Sequence, residues 1–297
     1  MLTISVALWN PDPAMLEAFL RSLRKTAPEM SQLIVVDNGS ADKAYRRLLK
    51  EVYGGATATT IDVIENAENL GFGRAHNQAL ERASGRYFAV VNDDVEWFET
   101  WTTPMIRILD GYDGVGQVGM RNGAYNVFDP LGNTEMAADC AAPEYVEGSC
   151  FMMRTATAKE RGLFDERYEI GYFEDADLSL RLRKAGYRLS NVDVRWIHHR
   201  GRTAEAAKTI DMKKIASKNR HEFEERWYGY LLTRSFEETV DPNAYREMQK
   251  ELLTKRREVA EKDIQMAEKD RRIADILNSW SWRMTAPLRR GLEFLKR

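Results

Sequence analysis

Three clusters of polar side chains in the chain have the types and spacing for chemistry. The first is Asn92-Asp93-Asp94, directly after the apolar run Phe88-Ala89-Val90-Val91. Such a run, half of it β-branched, reads as a short buried strand. Unpaired carboxylates are costly to bury, so a strand that runs out into two aspartates delivers oxygen donors to a surface. Oxygen donors suit Mn²⁺ or Mg²⁺, ions that accompany phosphate. The same residues are also ordinary turn formers, and on this stretch alone both readings stand. The second cluster is Glu174, Asp175 and Asp177, led in by Tyr172-Phe173 and followed by Leu178, Leu182 and Ala185 on one helical face. Dipole complementation and N-capping by Asp175 or Asp177 explain one or two of these acids. They leave the aromatic approach unexplained. A carboxylate held beside apolar surface has a raised pKa and makes a better base near neutral pH. The third cluster is His198-His199-Arg200-Gly201-Arg202. Adjacent histidines in a strand point to opposite faces, so at most one can face a site. With cations behind it, that one is expected to touch metal or phosphate.

The surrounding pattern predicts the scaffold. Residues 3–8, 32–36, 60–65 and 88–91 read as strands. Helices are expected over 14–25, around 43–52, and from the glycine-rich stretch after 66 through Ala83. Strands and helices alternating at this spacing predict an α/β fold with a mostly parallel, doubly wound sheet and helices on both faces. Ligands of such sheets bind at the carboxyl ends of the strands. Asp37-Asn38-Gly39-Ser40 ends the second strand there, where Asp37 would accept from a base or ribose or else form an Asx turn. Gly71 and Gly73 would let backbone approach a ligand, and the helix start after them favours phosphate. A helix is expected over 101–109, and loops with short strands over 111–148. A returning strand is expected around 147–154, and a strand pair between Tyr187 and Ile197. Cys150 reads as a small core residue.

The bulk composition narrows the function. The chain of 297 residues is 43% hydrophobic and 30% charged, with net charge −2. That balance argues against a nucleic-acid partner. Two cysteines, Cys140 and Cys150, make no disulfide framework and fit a reducing compartment. No secretory signal is legible after Met1, and no apolar run reaches the roughly 20 residues of a membrane span. A cytoplasmic location is expected, peripheral to the inner face of the plasma membrane if the tail binds lipid.

Taken in order, these segments resemble the inverting glycosyltransferases of family 2, which have the GT-A nucleotide-sugar-binding fold. The resemblance is strongest to members that build bacterial surface polysaccharides, rhamnosyltransferase-like enzymes among them. It covers roughly residues 3–230. It is carried by Trp9-Asn10, VVDNGS, NAENLGFGRAHNQAL, VVNDDV, EGSCFMMR, GLFDERYEIGYFEDADLSLRLRKAGY and the histidine pair. The resemblance implies that Asn10 and Asp37 bind the base of a dTDP or UDP sugar. Asn69, Gly71, Arg74, Asn77, Asn92 and Asp93 would line the nucleotide and diphosphate. Asp94 and His198 would hold Mn²⁺ or Mg²⁺, with His199 the alternate. Asp175, beside Glu174, would be the catalytic base, and Gly148, Ser149, Asp177 and His199 would face the acceptor or the sugar. The family has Asp where this chain has Asn92, a departure at the first position of its Asp-X-Asp motif. The implied acceptor is a glycan or lipid-linked glycan hydroxyl.

The expected domains are 1–235, catalytic; 236–278, a long helix; and 279–297, a basic amphipathic segment. Tyr245, Leu252, Val259, Met266 and Ile273 recur at a stride of seven, but lysines occupy three of the matching d positions. The pattern fits either a weak coiled coil that would join copies of the chain or a solvated helix docked on its own catalytic domain. In the last segment Trp280 and Trp282 stand among five cations and a single carboxylate, Glu293, a pattern suited to an anionic bilayer surface. Two other functions remain at this stage. A sugar nucleotidyltransferase would need a glycine-rich, lysine-bearing loop after the first strand, and none is present. A non-catalytic assembly module with a vestigial site would be consistent with Asn92.

Overall fold

Residues 1–55, 58–120, 145–199 and 210–236, with Lys269 and Arg272, are described by the computed structural model. The strands are β1 (Leu2–Leu8), β2 (Met30–Asp37), β3 (Thr60–Glu65), β4 (Tyr87–Val91), β5 (Val95–Trp97), β6 (Val115–Met120), β7 (Cys150–Arg154), β8 (Arg188–Val192) and β9 (Trp196–His198). The helices are α1 (Pro13–Thr26), α2 (Tyr45–Tyr53), α3 (Phe72–Arg82), α4 (Thr102–Gly111), α5 (Thr155–Arg161), α6 (Glu174–Lys184) and α7 (Met212–Phe236).

The apolar runs become strands buried on both faces, because helices cover each side of the sheet. Along β2, Leu33 and Val35 pack with α1, α2 and α4, while Ile34 and Val36 pack with α3, α5 and α6. Seven strands form the main sheet in the order β3-β2-β1-β4-β7-β6-β8. Only β7 runs against its neighbours β4 and β6; the other pairings are parallel. The order reverses at β1, which lies between β2 and β4. That is the switch point at which open α/β sheets bind ligands. Register brings Leu8 beside Asp37 and Val6 beside Val91, so the ends of β1, β2 and β4 share one edge.

Local chemistry sets the helix starts. Asp12 caps α1, its Oδ1 accepting from Met15 N–H at 2.9 Å, with Pro13 at the first helical position. Beneath the switch point, His76 of α3 is fully buried, with Nδ1 2.7 Å from Ser5 Oγ on β1. Burial drives its pKa down to about 3, so the ring is a neutral structural tie.

Two sequence expectations need correction. The 111–148 stretch, expected as loops and short strands over the active edge, contains β6, every residue of which is buried inside the main sheet. The two strands between Tyr187 and Ile197 do not pair with each other. β8 joins β6, and β9 pairs antiparallel with β5 in a separate two-stranded ribbon. The glycines after Asn69 are also required by the chain itself. Gly71 has φ +90°, and a Cβ there would lie 2.7 Å from Ile170 N; at Gly73 a Cβ would lie 3.1 Å from Phe164 Cβ.

The chain divides into one unit from Met1 to Leu232 and a second from Thr233 to Arg297. The expected coiled-coil stripe and basic segment lie outside the described residues, apart from Lys269 and Arg272, which are helical. Among the described residues no helix is long and apolar enough to cross a membrane.

Gly71→Ala combines an unfavourable backbone angle with a clash against the Ile170 main chain. It is expected to cost about 1–3 kcal/mol. Urea denaturation of wild type and variant reads this directly, and an unchanged midpoint would show that the 169–173 loop yields freely.

Candidate active site

Past β4 the chain enters the Asn92-Asp93-Asp94 turn and then the short β5. Asn92 N–H donates to Ser149 O at 2.9 Å, extending the β4–β7 pairing one residue beyond the strand. Asp94 is buried, and its Oδ1 lies 3.3 Å from His198 Nε2 at the end of β9. His198 Nδ1 in turn lies 3.5 Å from Glu147 Oε1. His199, next along, turns the other way, with Nε2 3.4 Å from Glu96, while its N–H donates to Asp94 O at 2.8 Å. The alternation of a strand thus selects His198 as the histidine beside Asp94.

Burial disfavours the charged imidazolium of His198. The neighbouring carboxylates of Asp94 and Glu147 outweigh it and raise the group to about 9. Asp94 Oδ1 and His198 Nδ1 are buried atoms without a well-formed hydrogen bond. Two donors of one octahedral ion, each about 2.1 Å from it, stand about 3 Å apart. The Asp94–His198 separation fits a shared divalent cation by that measure. Among the described residues no group of three or more His, Cys, Asp or Glu is arranged around one metal position. Asp94 and His198 would supply two protein donors to such an ion and would leave its other positions open to ligands from outside the protein.

Gly148 connects this half to α6. Its N–H donates to Asp175 Oδ2 at 2.9 Å, and Ala176 N–H donates to Asp175 Oδ1 at 2.8 Å. Asp175 is half-buried, with one backbone donor on each oxygen. Removal from solvent raises its pKa, the two N–H groups oppose the rise, and Glu147 adds to it. Glu174 is buried, and burial and then the neighbouring Asp175 charge push it up as well. Phe173, at φ +73°, precedes the helix, so both acids lie in its first turn and neither Asp175 nor Asp177 is the N-cap.

A second group of residues gathers at the ends of β1 and β2. Asp37 is fully buried; its Oδ1 accepts from Ser40 N–H, and its Oδ2 from Lys43 and Tyr45. Burial raises its pKa, but the bonds from Lys43 and Ser40 prevail and hold it below the usual carboxylate range. A base would reach Asp37 only after displacing Lys43. Asn10, at φ +48°, clasps this turn, accepting from Ala41 N–H at 2.8 Å and donating its own N–H to Ser40 Oγ at 2.8 Å. Asn69 Oδ1 accepts from Gly71 N–H and from Asn38, both at 2.9 Å. The two groups meet at Phe72, whose N–H donates to Ile170 O at 2.7 Å and whose ring edge would lie 3.5 Å from a Cβ at Gly148.

Other residues singled out from the sequence are committed elsewhere. The Asn77 amide brackets Phe164, donating to its carbonyl at 3.0 Å and accepting from its N–H at 3.1 Å. Arg74, half exposed, pairs with Glu166 at 3.5 Å. Asp177 is fully buried, and its oxygens accept from Arg181 at 2.7 Å, Trp227 Nε1 at 2.8 Å and Tyr168 at 3.3 Å, with Arg226 2.9 Å away. An acceptor has no access to a carboxylate so enclosed. Ser149 is likewise buried and contributes its carbonyl. Glu147, which faces His198 and acts on Asp175, opens the EGSCFMMR segment but was given no site role from the sequence. Cys150 is buried and its thiol is pushed up by burial, as befits a core residue.

Comparison with known proteins bears on this arrangement. The family described as Glycosyl transferase family 2 matches residues 3–168. N-acetylglucosaminyl-diphospho-decaprenol L-rhamnosyltransferases of two Mycobacterium tuberculosis strains, CDC 1551 / Oshkosh and H37Rv, are each 26% identical over 228 residues, covering 63% of this chain and 72% of theirs. Among solved structures, GalNAc-T7 with UDP, GalNAc and Mn²⁺ superposes with TM-score 0.56 at 14% identity, over 65% of this chain and 42% of that one. The Pyrobaculum calidifontis mannosyltransferase PcManGT with GDP-Man and Mn²⁺ gives TM-score 0.53 at 14% identity, over 85% and 79%. These two likenesses place the α/β fold among the GT-A glycosyltransferases.

The raised His198 makes a pH-dependent contribution. A group at about 9 when folded and 6.5 when unfolded stabilises fully below 6.5 and loses that effect as pH rises through 9. With chelator present, wild type is expected to exceed His198→Gln by about 2–3 kcal/mol near pH 6. The gap should close by about pH 10 in urea titrations. A gap that does not change with pH would show His198 unperturbed.

Proposed function

The chain belongs to glycosyl transferase family 2, and on that premise we propose an inverting, metal-assisted transfer of a sugar from a nucleoside diphosphate to a hydroxyl of a lipid-linked glycan. L-rhamnose is the first donor sugar to consider, and a prenyl-diphosphate-linked glycan the first acceptor. Both follow from the printed activity of the mycobacterial relatives. The observation that carries the reading is the chain of contacts Asp94–His198–Glu147 continued by Gly148–Asp175. It joins a cation-binding pair to a carboxylate of raised pKa through two consecutive residues.

In this reading Asp175 takes the proton from the acceptor hydroxyl as that oxygen attacks the anomeric carbon. The nucleoside diphosphate leaves from the opposite face, which inverts the configuration. Its two backbone donors fix the carboxylate plane without neutralising it, so each oxygen keeps a lone pair for the incoming proton. The raised pKa brings the group nearer to working pH, where a base is most effective. Asp94 and His198 would hold a divalent cation, which when bound offsets the charge that develops on the leaving diphosphate. Glu147 orients His198 through the far ring nitrogen, the usual arrangement for a histidine ligand. The base of the nucleotide would lie over the Asp37–Ser40 turn, with Lys43 moving aside. The basic 279–297 segment fits a lipid acceptor as a contact to the membrane surface.

The test is incubation with a panel of dTDP- and UDP-sugars, Mn²⁺ and a prenyl-diphosphate-linked N-acetylglucosamine, with products read by mass spectrometry. Asp175→Asn is expected to lower kcat by about 10²–10⁴-fold while nucleotide-induced thermal stabilisation persists. Retained turnover in that variant would remove Asp175 as the base.

A further inference from the structure

The segment that delivers Glu174 and Asp175 is held in an unfavourable backbone conformation. Ile170, Tyr172 and Phe173 all have positive φ, at 59°, 78° and 73°. For non-glycine residues such angles cost energy and persist only where the surroundings impose them, and Ile170 is β-branched as well. A specific agent imposes them here. Asn219, fully buried on α7, directs Nδ2 to three carbonyls of this loop: Glu169 O at 3.0 Å, Gly171 O at 2.7 Å and Tyr172 O at 3.3 Å. Three acceptors fix which end of the amide is the nitrogen, and its two hydrogens are shared among them. The other end, Oδ1, is buried without a hydrogen-bond partner. The side chain is therefore placed for the loop and not for its own satisfaction.

The loop passes this restraint on in two directions. Toward α6, Phe173 O accepts from Asp177 N–H at 2.9 Å and sets the first turn that contains Asp175. Toward α3, Ile170 O accepts from Phe72 N–H at 2.7 Å, next to the Asn69–Gly71 turn. We propose that Asn219 is a positioning residue. Its carboxamide locks the 169–173 loop, and through the loop it sets Asp175 against Gly148 and the α3 start against the same edge. The proposal rests on the role of Asp175 given above for its kinetic consequence, but not for its structural one. α7 is by this account part of the site's framework rather than a connector that follows it.

The experiment uses the full chain and three variants. Asn219→Asp keeps the shape but replaces the donor with an acceptor facing three carbonyls. Asn219→Ala removes the amide without adding repulsion. Lys218→Ala removes the exposed pair to Glu169 on the same turn of α7. Hydrogen–deuterium exchange needs no substrate. Peptides covering 167–177 should exchange faster in both Asn219 variants than in wild type and Lys218→Ala, with β1, β2 and β4 unchanged. In the transfer assay kcat should fall by between about tenfold and a hundredfold in both Asn219 variants, with donor KM within about twofold of wild type. Should Asn219→Asp fail to fold, Asn219→Ala provides both readouts. Unchanged exchange over 167–177 in Asn219→Ala overturns the proposal even if the enzyme proves to use another base. Faster exchange with kcat unchanged overturns the positioning role while leaving the clamp. Absence of transfer in wild type counts against the proposed function, and the exchange result still decides the clamp.

Discussion

A backbone hydrogen bond, from Gly148 N–H to the Asp175 carboxylate, joins the two halves of the proposed site. On one side of it, residues 147–149 lie along the end of β4, where Asn92 N–H donates to Ser149 O and Glu147 faces His198. On the other side stands the first turn of α6. The donor is main chain, and a Cβ at residue 148 would make only ordinary contact with the Asp175 Cβ, at 3.4 Å. A lysine or arginine donor would neutralise the carboxylate that the proposed reaction needs as a base. An amide N–H orients the group and leaves most of its basicity in place.

The buried carboxylates of the domain show how partners decide function. Asp177 faces Arg181, Arg226, Trp227 and Tyr168, a set that compensates its charge and exhausts its lone pairs. It anchors α7 to α6, and removing one partner of so enclosed an ion pair typically costs about 3–5 kcal/mol. Asp37 is compensated by Lys43 and a turn of backbone. Asp94 has only a histidine at ion-pair distance, and Asp175 has two amides and no cation among its hydrogen-bond donors. Among the described residues neither acid that the proposed mechanism uses has a lysine or arginine partner. Electrostatics requires this: a carboxylate whose charge is already neutralised can neither bind a cation strongly nor accept a proton near neutral pH.

Much of the scaffold was legible in the sequence because a parallel sheet buried on both faces writes itself as unbroken apolar runs. β2 and β4 are such runs, and each ends in the polar residues that mark the active edge. β6 was not legible as a strand of the main sheet, since Val115–Met120 is half glycine and glutamine and follows Gly114 rather than the turn signal of a regular hairpin. β5 and β9 are three residues each and exist only as each other's partner, a long-range pairing that periodicity cannot show. The site divides in the same way. Asp94 and His198 lie 3.3 Å apart, and Glu147 and Gly148 link His198 to Asp175. Asn77 and Asp177 have the same kinds of side chain, yet the fold takes them into its own hydrogen bonds. Asn219 lay beyond any motif, inside a helix of no marked pattern, and only the loop it grips gives it meaning.

The one departure from the family pattern, Asn92, fits this electrostatic picture. The contact that residue 92 makes to the β4–β7 edge uses its N–H, which any residue but proline supplies. The cation-binding geometry comes instead from Asp94 and His198, neither of which depends on the side chain at 92. Glu147 raises the pKa of Asp175, and the Asp175 charge raises that of Glu174. An amide at 92 keeps oxygen-donor capacity at the turn without adding a further negative charge. Asparagine at 92 therefore leaves the proposed metal pair and base intact, which is the opposite of what a decaying active site would be expected to lose first.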